Sequence, residues 1–330
     1  MVIPTLAADT ALLECVRSLQ AQTCEDFEVI VVDNSGTGAV RGLGLVDVPR
    51  LRVIENDHNA GFGTAVNQGW RASAGPFVAT LNDDAEAEPG WLAEMVEAAK
   101  KDPEIGLIAC QVRLSENVLD SAGMLIGGDG SSKQRGHGRS PADFAVEEDV
   151  LMPSGSAALY RRAMLDDIGG FADDFFLYCE DSDLGLRARR RGWRCRYVPS
   201  AIVRHGYSKS AGRASALKAM LVERNRLCLL IRNFPLSLIL AAPFVSAVRY
   251  FWHAVYMLKG TGKAAEFAQS GGNGASLPVM VLRAHWQALR RLPALLAERR
   301  AIQARAYLND RQFGRLLAAH SISSREVAAL

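Results

Sequence analysis

Val29-Ile30-Val31-Val32-Asp33-Asn34-Ser35 is the stretch that decides the fold. Four β-branched apolar residues in a row, without alternation, describe a strand buried on both faces, as in parallel sheets covered by helices. The run stops in Asp-Asn-Ser, residue types that hydrogen-bond their own backbone in turns. Ahead of it, Leu12, Val16 and Leu19 recur at helical spacing. Beyond it, residues 51–54, 77–81 and 105–112 read as further strands. Helical patterns opening at Asn59-Ala60-Gly61-Phe62-Gly63 and Pro89-Gly90-Trp91 run to about 74 and 101. Strands alternating with helices predict an α/β fold with a Rossmann-like, mostly parallel sheet flanked by helices.

Further along, residues 127–149 are rich in Gly, Ser and charge, with little periodicity, and are expected to form a mobile, functional loop. A strand follows at 154–160, then a short helix stopped by Gly169-Gly170. Glu180-Asp181-Ser182-Asp183 opens a helix ending at Gly192, and a strand over 194–203, interrupted at Pro199, delivers His205. The composition then changes. Residues 211–232 form a basic helical pattern, and 234–248 carry no charge but contain Pro235 and Pro243. That run is shorter than the roughly 20 residues a membrane-spanning helix needs. With Tyr250, Trp252 and Tyr256 beside it, it reads as a segment lying on a membrane rather than crossing it. Gly271-Gly272-Asn273-Gly274 reads as a linker to an Arg-rich helical tail from about Leu277. Two domains are expected: an α/β domain over 1–210, and a basic, helical region over 211–330 serving membrane association or homo-oligomerisation.

The 330 residues are 49% hydrophobic and 22% charged, which excludes disordered, collagen-like and disulfide-scaffold classes. Six cysteines without a Cys-x-x-Cys pair give no zinc or redox motif and read as reduced cytosolic thiols. Met1-Val2-Ile3-Pro4-Thr5 lacks the basic and apolar regions of a secretory signal, so a cytoplasmic location is expected. The net charge of +2 conceals a division: residues 1–186 hold 13 Lys/Arg against 31 Asp/Glu, and residues 187–330 hold 25 against 5. The acidic part suits a metal, the basic part an anionic surface.

Four clusters follow predicted strand ends, where open α/β sheets bind ligands. They are Asp33-Asn34-Ser35, Asn59-Ala60-Gly61-Phe62, Asn82-Asp83-Asp84, and Glu180-Asp181 with His205. Each has a plain structural reading as well: a turn at Asp33, helix caps at Asp181 and Asp183, a core histidine at His205. The pair Asp83-Asp84 is harder to dismiss, because adjacent carboxylates repel unless a cation is near.

Taken in order, these motifs resemble inverting glycosyltransferases of family 2, GT-A fold, in their rhamnosyltransferase-like bacterial branch. The resemblance rests on residues 31–35, 59–63, Leu81-Asn82-Asp83-Asp84-Ala85 with Pro89-Gly90-Trp91-Leu92, Ser154-Gly155-Ser156-Ala157, and Gly169-Gly170-Phe171. It continues through Phe175-Phe176-Leu177-Tyr178-Cys179-Glu180-Asp181-Ser182-Asp183-Leu184, Arg191-Gly192-Trp193-Arg194 and Tyr197-Val198-Pro199 to His205, and covers about two thirds of the chain.

The resemblance implies that Asp84, the second acid of an Asp-x-Asp element, is the principal ligand of a divalent cation, Mg2+ or Mn2+, with His205 completing the shell. Such a cation stabilises a diphosphate leaving group. Asn82 replaces the first acid and Asp83 stands where proline is frequent. An inverting transfer needs one base and no enzyme nucleophile; the resemblance gives that role to Asp181, with Glu180 beside it. Thr5, Asp33, Asn34, Asn59, Gly61, Phe62, Asn82 and Asp83 fall at the nucleotide-sugar site, Asp33 facing the base; for Phe62, packing on the sheet is the favoured reading. Ser154, Gly155 and Asp183 fall on the acceptor side, with Glu180 and Asp183 orienting acceptor or protein groups. Relatives begin several residues ahead of Ile3-Pro4-Thr5, so either the start is assigned late or the first strand is shortened.

The expected activity is transfer of a sugar, rhamnose by preference, from a dTDP- or UDP-linked donor to a cell-surface glycan or lipid-linked glycan. Between Arg187 and Arg232 lie 13 basic residues and one acid, Glu223. Anionic head groups attract such clusters by about 1 kcal/mol per charge, which places the protein peripherally on the cytoplasmic face of the inner membrane. Arg213 or Arg224 could instead contact the diphosphate. Nucleic acid is not expected, because no binding motif accompanies the basic residues. Two other readings are nucleotidylyl transfer, which lacks its Gly-rich basic signature near Thr5, and a non-catalytic nucleotide-sugar or membrane scaffold of a polysaccharide assembly complex.

Overall fold

The computed structural model describes residues 1–7, 9–45, 48, 50–205, 216–269 and 277–330. Arg213 and the linker expected at 271–274 lie outside them. The chain divides into two compact units: Met1–Met124, Gln134–Ala188 and Trp193–Ser210 form the first, and Leu125–Lys133, Arg189–Gly192 and Ala211–Leu330 the second.

In chain order the elements are β1 (Val2–Thr5), α1 (Thr10–Gln20), β2 (Val29–Asp33), β3 (Leu51–Glu55), α2 (Phe62–Ala72), β4 (Phe77–Leu81), β5 (Ala85–Ala87) and α3 (Trp91–Lys100). There follow β6 (Ile105–Ser115), β7 (Val118–Ser121), β8 (Met124–Ile126), β9 (Ser132–Gln134), β10 (Glu148–Asp149), β11 (Ala157–Arg161), α4 (Arg162–Ile168), α5 (Glu180–Arg190) and β12 (Arg194–His205). Among the described residues after β12 the elements are helices: α6 (Ala216–Asn233), α7 (Leu236–Leu258), α8 (Gly262–Gln269), α9 (Leu277–Arg290), α10 (Leu292–Ala304), α11 (Asp310–Ala319) and α12 (Ser324–Ala329).

The sheet of the first unit has the order β10-β12-β6-β11-β4-β1-β2-β3, with β5 on β12 and β7 on β6. Strands β4, β1, β2 and β3 are parallel. β2 is buried throughout, as its unbroken apolar run requires. Its side chains alternate between two cores. Ile3, Val29, Val31 and Leu81 pack with Leu12, Val16, Trp91 and Met95 of α1 and α3. Val2, Ile30, Val32 and Val78 pack with Val66, Trp70, Met164 and Leu184 on the other face. Each such side chain contributes about 1.5–3 kcal/mol. The short first strand is present inside the sheet, paired from Val2↔Ile30 to Thr5↔Asp33. Parallel registration therefore lines up Thr5, Asp33 and the residues after Leu81 along one edge.

The expected loose loop is instead hydrogen-bonded structure. In the first unit, Glu148 and Asp149 pair with Tyr197 and Arg196 of β12, and Tyr197 Oη donates to the Phe144 carbonyl at 2.9 Å. Strands of two or three residues are too short to leave a periodic signature. β12 passes Pro199 through a register shift between Val198 and Ile202, then pairs with β5 up to His205↔Ala85.

In the second unit, the charge-free run expected to stop short of a span belongs to one 23-residue helix, α7, with Pro243 inside it. Its one charged residue, Arg249, turns inward: Nε lies 2.7 Å from Asp129 Oδ2, and a terminal nitrogen 2.9 Å from Glu223 Oε2. By length and composition alone, α7 is long and apolar enough to cross a membrane.

Candidate functional site

β4 ends at Leu81, and the chain turns through Asn82-Asp83-Asp84 into β5. Because β5 pairs with the end of β12, the ladder brings His205 to this turn. His205 Nε2 lies 3.2 Å from Asp84 Oδ1 and 3.2 Å from Asn82 Nδ2. On the ring's other side, Nδ1 lies 3.5 Å from Oδ2 of Asp120, whose Oδ1 is 3.0 Å from His137 Nδ1. Burial opposes charge on His205, but Asp120 and Asp84 outweigh it and bring the ring up to about 9. Asp120 is buried too, yet His137 and His205 hold its carboxyl below the usual range.

Asp83 points elsewhere. Thr5 Oγ1 donates to Asp83 Oδ2 at 2.6 Å, and burial together with neighbouring Asp84 pushes Asp83 up to about 6. Of the two adjacent acids, Asp84 is the one facing the histidine. A carboxylate oxygen and an imidazole nitrogen converging on one point is a donor set that fits Mn2+ or Mg2+. Among the described residues no group of three or more His, Cys, Asp or Glu side chains forms a metal cage. Two protein donors suit a cation that takes further oxygens from substrate phosphates. A cleft of about 200 Å3 opens here, lined by Glu14, Asp84, Glu86, Arg204 and His205.

The second part of the site starts at α5. Asp181 Oδ2 accepts from the Gly155 N–H at 2.9 Å, and Oδ1 from the Ser182 N–H at 2.6 Å. Residue 155 has to be small, since a Cβ there would sit 3.0 Å from the Asp181 Cβ. The Asn82 N–H donates to the Ser156 carbonyl at 2.8 Å, so the turn carrying Asp84 and the segment holding Asp181 are adjacent. Ser154 Oγ lies 2.9 Å from Ser156 Oγ. Burial raises the Asp181 carboxyl despite its backbone donors. Burial, reinforced by Asp181, pushes Glu180 well above its ordinary value, and Glu180 Oε2 is buried without a hydrogen-bond partner.

Ahead of Glu180, Phe176, Tyr178 and Cys179 adopt φ of 65°, 71° and 66°, a concentration of strained backbone typical of functional loops. The Phe176 carbonyl accepts from the Phe62 N–H at 2.9 Å. Gly61, at φ 86°, makes this approach possible, because a Cβ there would lie 2.3 Å from that carbonyl oxygen. Asn59 Oδ1 accepts from the Gly61 N–H at 2.9 Å, and Asn34 Nδ2 donates to the Gly61 carbonyl at 3.3 Å. Phe62 packs edge-on against Phe171 at 6.1 Å, in keeping with its packing reading. Asp33 caps its own turn, accepting from the Ser35 and Val40 N–H groups at 2.9 and 3.0 Å.

Of the two roles open to Asp183, the contacts in this structure are those of the second, orienting protein groups. Its carboxylate is fully buried, accepts from Arg187 Nε at 2.8 Å, and through Arg187 ties α5 to the carbonyls of Ile168 and Gly170. The side chains that sequence reasoning missed are Asp120 and His137, which stand in aperiodic segments outside any motif. Arg224 lies in α6 of the second unit, where Nε donates to Asn225 Oδ1 at 2.8 Å.

The family model for glycosyl transferase family 2 matches residues 1–169, just over half of the chain. This chain belongs to glycosyl transferase family 2. It is a glycosyltransferase, and it is 30% identical over 225 residues to N-acetylglucosaminyl-diphospho-decaprenol L-rhamnosyltransferase of Mycobacterium tuberculosis, covering 61% of this chain and 73% of that protein. It is also 30% identical over 228 residues to O-antigen biosynthesis protein RfbC of Myxococcus xanthus, covering 64% of this chain but 17% of RfbC. Among solved structures, GalNAc-T7 with UDP, GalNAc and Mn2+ aligns with a TM-score of 0.60 at 14% identity, over 75% of this chain and 50% of that one. At that identity the likeness concerns the fold, which is GT-A.

Proposed function

We propose that this glycosyltransferase is cation-dependent and inverting, moving a sugar, rhamnose by preference, from a dTDP- or UDP-linked donor to a hydroxyl of a glycan or lipid-linked glycan. The observation that carries the reading is Asp181, a carboxylate aimed by two backbone N–H groups beside the Asp84–His205 pair. Asp84 and His205 would hold the cation, which when bound would neutralise charge developing on the departing diphosphate. Asp181 takes the proton of the acceptor hydroxyl as the oxygen attacks the anomeric carbon. Gly155 and Ser182 keep its carboxylate from swinging away. Thr5 and Asp83 close the end of β1 where the nucleotide rests, and Asn59, Gly61 and Asn34 shape the backbone against which it lies. Ser154 and Gly155 form the acceptor wall.

Support for the sugar and the acceptor comes from the mycobacterial relative, whose name specifies transfer of L-rhamnose to N-acetylglucosaminyl-diphospho-decaprenol. The test is transfer from dTDP-rhamnose, and separately from UDP-sugars, to N-acetylglucosaminyl-diphospho-polyprenol, with the anomeric configuration of the product read by NMR. Inversion supports the single-displacement reading; retention, or hydrolysis without transfer, refutes it.

The same reading places the protein on the cytoplasmic face of the membrane. In α7 the buried residues are Ala242, Ser246 and Arg249, while Leu236, Leu240, Phe244, Val248, Phe251 and Leu258 are exposed along the opposite stripe. Residues 211–330 carry 17 Lys/Arg against five Asp/Glu, which suits anionic head groups. Flotation with anionic liposomes, lost in Phe244→Asp with Phe251→Asp, tests this placement.

A further inference from the structure

Seen from its two ring nitrogens, His205 poses an accounting problem. If it is to donate a lone pair to a cation through Nε2, its proton must sit on Nδ1. That nitrogen is buried and makes no hydrogen bond at standard geometry. A buried N–H without an acceptor costs on the order of 1–3 kcal/mol, and a ring free to turn would lose its aim. Asp120 Oδ2, at 3.5 Å, is the carboxylate facing Nδ1, within the range over which such contacts tighten when a site is loaded.

Asp120 is itself held. It belongs to β7, which pairs with β6 at Val112↔Ser121, and Val112 pairs with Val203 of β12, so the ladder fixes it across from the end of the strand carrying His205. Its other oxygen is engaged by His137 Nδ1 at 3.0 Å. Its side chain is 4% exposed and that of His205 11%, so water has little room to substitute for either partner.

We propose that Asp120, anchored by His137, is a positioning residue for the cation site: its Oδ2 accepts a hydrogen bond from the His205 Nδ1–H and so presents the Nε2 lone pair beside Asp84. This rests on the reading of Asp84 and His205 as cation ligands. Carboxylates placed behind ligating histidines raise the basicity of the ring and fix its orientation, and their loss weakens metal affinity by roughly 10- to 100-fold.

The test is Mn2+ affinity measured by electron paramagnetic resonance with dTDP or UDP present, on the whole protein, for wild type, Asp120→Ala and Asp120→Asn, with a thermal melt of each without cation. Asp120→Ala is expected to lose roughly 10- to 100-fold in Mn2+ affinity while its cation-free nucleotide affinity stays unchanged. Asp120→Asn keeps volume and an acceptor oxygen but no charge, so it is expected to recover part of the loss; it also serves if the alanine variant fails to fold. Wild-type Mn2+ affinity in both variants would overturn the positioning role and leave the ligand assignment standing. Absence of Mn2+ binding by wild type would overturn both.

Discussion

The backbone N–H of Gly155 donates to Oδ2 of Asp181 at 2.9 Å, so the proposed base is aimed by a residue four positions ahead of the middle of an interior strand. An amide oxygen can keep the Gly155 contact while the Ser182 contact to the second oxygen is lost, so Asp181→Asn is expected to fold with a melting temperature lowered by several degrees. Its kcat should fall by about 10²–10⁴-fold, with nucleotide affinity unchanged. Stopped-time transfer assays and calorimetry separate the two; full activity in this variant contradicts the base assignment.

The pH profile follows from the same residue. Burial raises the Asp181 carboxyl above its ordinary value of 3.8. A base works unprotonated, so activity rises with pH through that raised value. The acidic limb of kcat/KM is therefore expected above the usual carboxylate range, and it should disappear from the residual activity of Asp181→Asn.

Gly61→Ala is expected to be severe. The new Cβ would meet the Phe176 carbonyl at 2.3 Å, on a backbone at φ 86°. Strain of this kind costs of order 1–3 kcal/mol before the clash is counted. Lower thermal stability together with lost nucleotide binding is the expected result; an unchanged melt would mean that the Gly61–Phe176 approach is not maintained in solution.

Asp183→Ala separates structure from acceptor binding. Removing a buried carboxylate leaves Arg187 uncompensated, which costs about 3–5 kcal/mol. The expected outcome is a lower melting temperature, with acceptor KM unchanged in the folded fraction. A raised KM with an unchanged melt would restore the acceptor role.

In the second unit, Glu223 receives Arg226, Arg249 and Tyr250, and Arg249 also meets Asp129. Burial opposes the Glu223 charge, but the two arginines outweigh it and hold the carboxyl far below its ordinary 4.5. Stability from this depressed value is complete above about pH 4.5 and is lost as pH falls toward the folded-state value. Glu223→Gln leaves two buried guanidinium groups undercompensated and should cost about 3–5 kcal/mol. Thermal melts of both proteins from pH 7 to pH 3 should converge on the acid side.

Where long-range order had a local signature, the sequence was legible. The unbroken run at 29–32 is a central strand because both its faces meet helices, and Asn59-Ala60-Gly61 is a tight turn because Gly61 sits where no side chain fits. At Asn82-Asp83-Asp84 residue types alone left the two acids equivalent and only the resemblance singled out Asp84; the contact that turns Asp83 away comes from Thr5 on a distant strand. Asp183 shares a four-residue segment with Asp181, yet one lies inside the fold and the other at the site, a distinction set by helical rotation and Arg187. Asp120 and His137 were invisible because short strands, register and polar contacts place them, none of which has a period. Likewise Arg249 looked like the end of an apolar run, since its partners come from Asp129 and Glu223 far along the chain.

The most direct test of a cation-assisted nucleotide site at Asp84 and His205 is calorimetric titration of dTDP, UDP and GDP into wild type and Asp84→Ala, with and without Mn2+. Mn2+-dependent binding of one nucleotide by wild type, abolished in Asp84→Ala, is the predicted result. Binding that is indifferent to Mn2+, or equal in the two proteins, would contradict the account.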